Sequence, residues 1–120
     1  MGRRHAESEG PMKKLLILGA CCLSLHAQAQ FKDGNYVYNQ MQKDYASSEW
    51  FNAIGYVVGV ADSNNGIIFC LPQTATAMQL FDLSKQYFAE NPASRHFPAA
   101  ILISAALARP FPCPKKGTKL

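Results

Sequence analysis

Histidine, cysteine and charge are all scarce in this chain of 120 residues, which holds three His, four Cys and 17% charged residues. His5, His26, Cys21 and Cys22 all fall within the first 29 residues, so the remainder keeps only His96, Cys70 and Cys113. A structural zinc site needs four nitrogen or sulfur ligands and a catalytic one about three, which these residues cannot supply. No glycine-rich phosphate loop and no nucleophile-elbow motif is present. A Cys70/His96 nucleophilic pair would need a free Cys70. His96 with Asp62 or Glu90 is the remaining catalytic option, and an isolated histidine is more often structural. The expectation is a protein that is not an enzyme and uses no cofactor and no metal.

Apolar sequence, by contrast, is concentrated near the start. Lys13 and Lys14 precede an apolar run at 15–25, and small residues Ala27 and Ala29 follow. A basic flank, a run of about eleven apolar or small residues and an Ala-x-Ala site make a cleavable secretory signal peptide over 12–29, cut after Ala29. Residues 1–29 are therefore expected to be an upstream extension plus leader, with Met12 the natural start, and 30–120 the working domain. A spanning helix would need about 20 apolar residues, and His26 and Gln28 interrupt the run too soon. A lipobox reading of Leu18, Gly19, Ala20 and Cys21 leaves too few apolar residues after Lys14. The expectation is periplasmic export without a stable membrane anchor.

In an oxidising compartment Cys70 and Cys113 should pair. On the chain-entropy model, closing a loop of about 44 residues contributes roughly 4 kcal/mol, a large share of the stability of so small a domain. Lys115, Lys116 and Lys119 gather in a tail behind Pro112 and Pro114. Such a run is a solvated end rather than a nucleic-acid patch.

Periodicity predicts four helices. The first spans about 35–43, with Asp33 or Asn35 as cap and Val37 and Met41 inward. The second runs from a cap at Ser47 or Ser48 to about Ala61, carrying Trp50, Ile54, Val57, Val58 and Ala61 at helical spacing. Gly55 and Gly59 inside it each cost about 1 kcal/mol relative to alanine, so a close helix crossing within the chain is expected there, with a dimer contact as the alternative. Asp62, Ser63, Asn64, Asn65 and Gly66 are turn formers in a row, read as a protruding loop. An extended segment pinned by Cys70 follows at 67–71. Thr76 with Gln79 makes a capping box for a third helix ending near Glu90, with Leu80, Leu83, Ser84, Tyr87 and Phe88 inward. The fourth helix, about 97–108, is apolar nearly all round and should be the buried centre, with Pro98 in its first turn and Pro110 ending it. The fold class is all-α, a small disulfide-stapled bundle of about four helices with one short extended segment.

The residues Gly34-Asn35, the block 55–62 (Gly-Tyr-Val-Val-Gly-Val-Ala-Asp), Phe69-Cys70-Leu71-Pro72, Thr76 to Leu80, Asn91-Pro92, Arg95-His96 and Phe111-Pro112-Cys113 together resemble the Rap/Tai family of immunity proteins for type VI secretion amidase effectors. The resemblance covers nearly all of the chain after the leader, in order. It implies a small, exported, helical, often dimeric protein that binds a peptidoglycan amidase in the periplasm and blocks its cleft. Members often carry two further cysteines near the positions of Met41 and Ala53, and this chain has neither. Packing must then hold the first two helices together, through residues such as Val37, Trp50 and Phe51.

The expected partner is thus a cell-wall amidase effector, with a homodimer possible. The expected partner-binding residues are Asp62, Ser63, Asn64, Asn65 and Gly66, together with Arg95 and His96, which the resemblance marks and which a plainer reading makes polar caps of the fourth helix. A different class is a small periplasmic helper or chaperone-like binding protein, since small helical proteins can expose apolar surface when acid loosens them.

Overall fold

A computed structural model of the chain describes residues 31–115. The expected leader, its cleavage point, Lys116 and Lys119 lie outside the described residues. Four α-helices are formed among those residues: α1 (Gly34–Met41), α2 (Ser48–Asn64), α3 (Ala77–Glu90) and α4 (Ala99–Ala108), with a single 3-10 turn at Pro92–Ser94 between the last two. The all-α, disulfide-stapled bundle expected from the sequence is what the chain adopts.

Each of the first three helices starts on a side chain that accepts from an otherwise orphaned backbone N–H. Asp33 accepts from the Tyr36 amide at 2.9 Å, Ser47 from Trp50 at 3.2 Å and Thr76 from Gln79 at 3.2 Å. Such caps stabilise by about 1 kcal/mol each. Helix α4 has no side-chain cap and instead begins behind Pro98, whose fixed φ suits that position. It is held by pairing: Ala99 N–H donates to the Lys32 carbonyl at 2.9 Å, and Asp33 and Pro98 form an antiparallel bridge.

The core lies where α2 packs against α1, α3 and α4. Val37, Met41, Ala53, Val57, Phe88, Ile103 and Leu107 are almost fully enclosed. Met41 and Ala53 belong to the same buried cluster. Trp50 packs with Phe81 at 5.4 Å between ring centroids, whereas Phe51 is turned outward and 56% exposed, so Phe51 does not hold the first helix pair as expected. Ahead of the Ser47 cap, Ala46 takes φ +64°, a conformation L-residues adopt at a cost of roughly 1 kcal/mol, and the turn brings the Tyr45 ring to 4.8 Å from Trp50.

Cys70 and Cys113 are joined, with their Cα atoms 4.8 Å apart, and the Cys70 N–H donates to the Phe111 carbonyl at 2.9 Å. The bond ties the segment between α2 and α3 to the chain just after α4.

Two expectations about the interior need correction. The close crossing expected at Gly55 and Gly59 is not formed among the described residues: a Cβ placed on either glycine would meet nothing within 4 Å. The glycine under close approach is Gly34, where a Cβ would lie 2.6 Å from Leu102 Cδ1 and 2.9 Å from the Arg95 carbonyl oxygen. Helix α4 is also not enclosed on every side, because Ile101 is 62% exposed although Leu102, Ile103, Ala106 and Leu107 are buried.

Candidate functional site

The expected loop at 62–66 is largely helix. Asp62, Ser63 and Asn64 complete the last turn of α2, and Asn65 is its C-cap, donating its N–H to the Ala61 carbonyl. Turn-forming residues continue the helix here because their side chains find partners that do not compete with it. The Ser63 hydroxyl donates back to the Val60 carbonyl at 3.0 Å. The Asn64 side-chain amide donates to the Ser104 hydroxyl at 3.1 Å, and that hydroxyl donates to the Ala100 carbonyl at 2.8 Å.

The protruding feature comes after the helix end. Ile67 and Ile68 both donate their N–H groups to the Asn64 carbonyl at 3.0 Å, and Gly66 donates to the Phe69 carbonyl at 2.7 Å. Gly66 sits at φ +84°, a left-handed conformation that glycine adopts without steric cost. The Asn65 side-chain oxygen accepts from the Leu71 N–H at 2.9 Å. Phe69 is buried and roots the turn in the core. The segment expected to be extended at 67–71 is therefore a tight turn, with Ile67 75% and Ile68 48% exposed at its tip.

Of the expected partner-binding residues in this stretch, Asp62, Ser63, Asn65 and Gly66 are exposed and Asn64 is half-buried. Asn64 and Asn65 also support the turn through their side chains, so replacing them perturbs structure as well as surface. Asp62 and Asn65 further border a shallow hollow of about 310 Å³ between the end of α2 and the 71–77 segment.

Arg95 and His96 stand elsewhere. Arg95 is half-buried; its Nε donates to the Phe88 carbonyl at 2.8 Å and its guanidinium lies 4.5 Å from the Tyr38 ring centroid. Its own carbonyl accepts from Asn35, and the Phe97 carbonyl accepts from Gly34, so this corner closes the start of α1 against the start of α4. His96 is exposed and lies beside Phe97, ring centroids 4.2 Å apart. The turn at 64–68 packs instead on the middle of α4 through Ser104. The two groups of expected site residues thus pack at different places on α4, its middle and its start, and Arg95 acts as a brace.

Sequence reasoning passed over the ground between them. Ile68, Ala100, Ile101, Ala105 and Ala108, with Asn64 and Ser104, line a groove of about 360 Å³ along the outer flank of α4. Phe97, four residues before Ile101, is 49% exposed. The available signal was the α4 sequence itself, apolar on faces that a four-helix packing cannot all cover.

Among the described residues no three or more His, Cys, Asp or Glu side chains are grouped to hold a metal ion, and no helix is long and apolar enough to cross a membrane. No curated protein matches the chain. A model of the Rap1a immunity proteins matches residues 22–113. That range takes in all four helices, both cysteines of the disulfide and the turn that follows α2, and on it the chain belongs to the Rap1a immunity protein family.

Proposed function

We propose that this protein is a periplasmic immunity protein that binds and blocks a peptidoglycan amidase effector of a type VI secretion system. Membership of an immunity family implies that it binds a secreted effector; the amidase target and the periplasm follow the resemblance of the sequence blocks, and blocking by insertion into a cleft rests on one observation, the build of the turn at 64–68. An inhibitor that enters a cleft gains affinity when its inserted segment loses little entropy on binding. This turn is narrow, projects Ile67 and Ile68 into solvent, and is held from below by buried Phe69, the Asn64–Ser104 bond and the disulfide at Cys70. Asp62, Ser63 and Gly66 present small polar groups and bare backbone at its base.

An amidase effector gene beside this one is expected, and that amidase, assayed on purified peptidoglycan, should lose activity on addition of equimolar protein. Exchange of both Asp62 and Ser63 for lysine should weaken that inhibition at least tenfold while leaving the melting temperature within a few degrees, since both side chains are exposed. Inhibition unchanged by the exchange would move the contact to another face. His96→Ala is expected to leave inhibition intact.

We also infer that two copies associate across the outer face of α2. Gly55 and Gly59 are exposed, one helical turn apart, with Phe51 on the same side. Two glycines in an exposed helix interior lower helix stability by about 2 kcal/mol together, and close backbone approach by another helix is the use that offsets such a cost.

A further inference from the structure

We propose that the groove between the 64–68 turn and the outer flank of α4 is an anchor pocket that receives one protruding aliphatic or aromatic side chain from the effector. This rests on the reading of the protein as an immunity protein and deepens it, by giving the chemistry that the partner must present.

The lining decides the chemistry. Ile68, Ile101 and three alanines of α4 form the walls, and no ionisable residue contributes. The two polar residues present are bonded within the wall, Asn64 donating to Ser104 and Ser104 to the Ala100 carbonyl, which leaves the rest of the Asn64 amide at the edge as the one polar side-chain group free to meet a ligand. A charged or strongly polar ligand would be desolvated there with no other new partner, which is costly. An apolar side chain would displace water from Ile68 and Ile101 without breaking the Asn64–Ser104 bond. Exposed apolar surface bordered by polar groups is characteristic of interaction sites, and buried anchors of this kind carry most of the energy in protein interfaces.

The position decides the occupant. The groove is continuous with the turn proposed to enter the amidase cleft, since Asn64 and Ile68 belong to both. A turn that enters a cleft brings the rim of that cleft against its flanks. A residue projecting from that rim would meet α4 at Ile101. A second copy of this chain fits less well: Asn64 lies nine residues after Gly55, about 180° away around the helix at 100° per residue, so the glycine face and the groove lie on opposite sides of α2. Both can be occupied at once.

Ile101 offers a clean test because it is exposed and is the third residue of α4. An acidic residue there faces the positive end of the helix dipole and favours the fold. Ile101→Asp should therefore keep the melting temperature at or above that of the parent, while inhibition of the amidase effector weakens at least tenfold. Ile101→Leu should retain inhibition. Inhibition by Ile101→Asp within twofold of the parent would overturn the groove and leave the immunity reading standing. Failure of the unaltered protein to bind the amidase would overturn both. A photo-crosslinking side chain at position 101 should capture the amidase, and capture of a second copy instead would also overturn the proposal.

Discussion

Two groups of glycines divide this molecule. At the start of α1, Gly34 is pressed between the Leu102 side chain and the Arg95 backbone, in a corner closed by hydrogen bonds from Gly34 and Asn35 to Phe97 and Arg95. On the outer face of α2, Gly55 and Gly59 have open space where their side chains would be. The first glycine is explained by the fold of a single chain; the other two are not, and their cost to the helix points outward. The same division separates the residues that hold the bundle, including Arg95, from the surfaces available to partners.

The largest effect should come from filling the closed corner. Gly34→Val would set a branched side chain against a backbone oxygen only 2.9 Å from the position of its Cβ, where adjustment requires moving the chain rather than a rotamer. Overpacking of this kind costs about 3 kcal/mol. For a domain of this size that lowers the melting temperature by well over 10 °C, at roughly 4–8 °C per kcal/mol. Thermal unfolding that leaves Gly34→Val indistinguishable from the parent would show that the corner is not closed.

Arg95 and His96 sharpen the contrast at the level of adjacent residues. Arg95→Ala removes a charge-assisted bond to the Phe88 carbonyl and the contact with Tyr38. Because Arg95 is only half-buried, a loss of about 2 kcal/mol is expected. His96→Ala, on an exposed side chain, should change stability by no more than about 0.5 kcal/mol. Urea unfolding of the two variants in parallel measures the difference, and equal midpoints would place Arg95 on the surface with its neighbour.

Much of the interior was legible because local chemistry and tertiary packing agree there. Asp33, Ser47 and Thr76 cap the helices that their positions suggest, and the only two cysteines beyond the apolar run near the chain start form the expected bond. The failures share a cause, which is that spacing within one segment does not reveal what stands opposite it. Asp62, Ser63 and Asn64 have the composition of a loop, yet Asn64 is kept helical by a hydroxyl forty positions away in sequence. Gly55 and Gly59 have the spacing of a crossing, yet none of the described helices crosses them. Phe81 was left out of the expected inner face of α3 although it is buried against Trp50, since a helix between several neighbours buries more than one stripe. The apolar circumference of α4 predicts burial on every side, whereas its outer flank is the wall of the groove.

One further effect, smaller than those at Gly34 and Arg95, has the opposite sign. In Gly59→Ala the new methyl group meets nothing within 4 Å, so the substitution carries no packing penalty inside the chain. Alanine replaces the residue with the greatest backbone freedom in the unfolded state, in the interior of a helix that runs from Ser48 to Asn64. The gain should be about 0.8 to 1 kcal/mol, which raises the melting temperature by a few degrees. Gly34→Val and Gly59→Ala would then move stability in opposite directions, as a closed corner and an open face require. If two copies meet across the α2 face, however, the same methyl group stands between their backbones, and the stabilisation should appear only at concentrations low enough to hold the protein monomeric. Melting curves across a hundredfold range of concentration, paired with sedimentation of the parent and the variant, resolve the two effects. A variant more stable than the parent at every concentration, with no change in mass, would mean that the glycines do not serve a dimer, and their cost would have to be recovered against the effector instead.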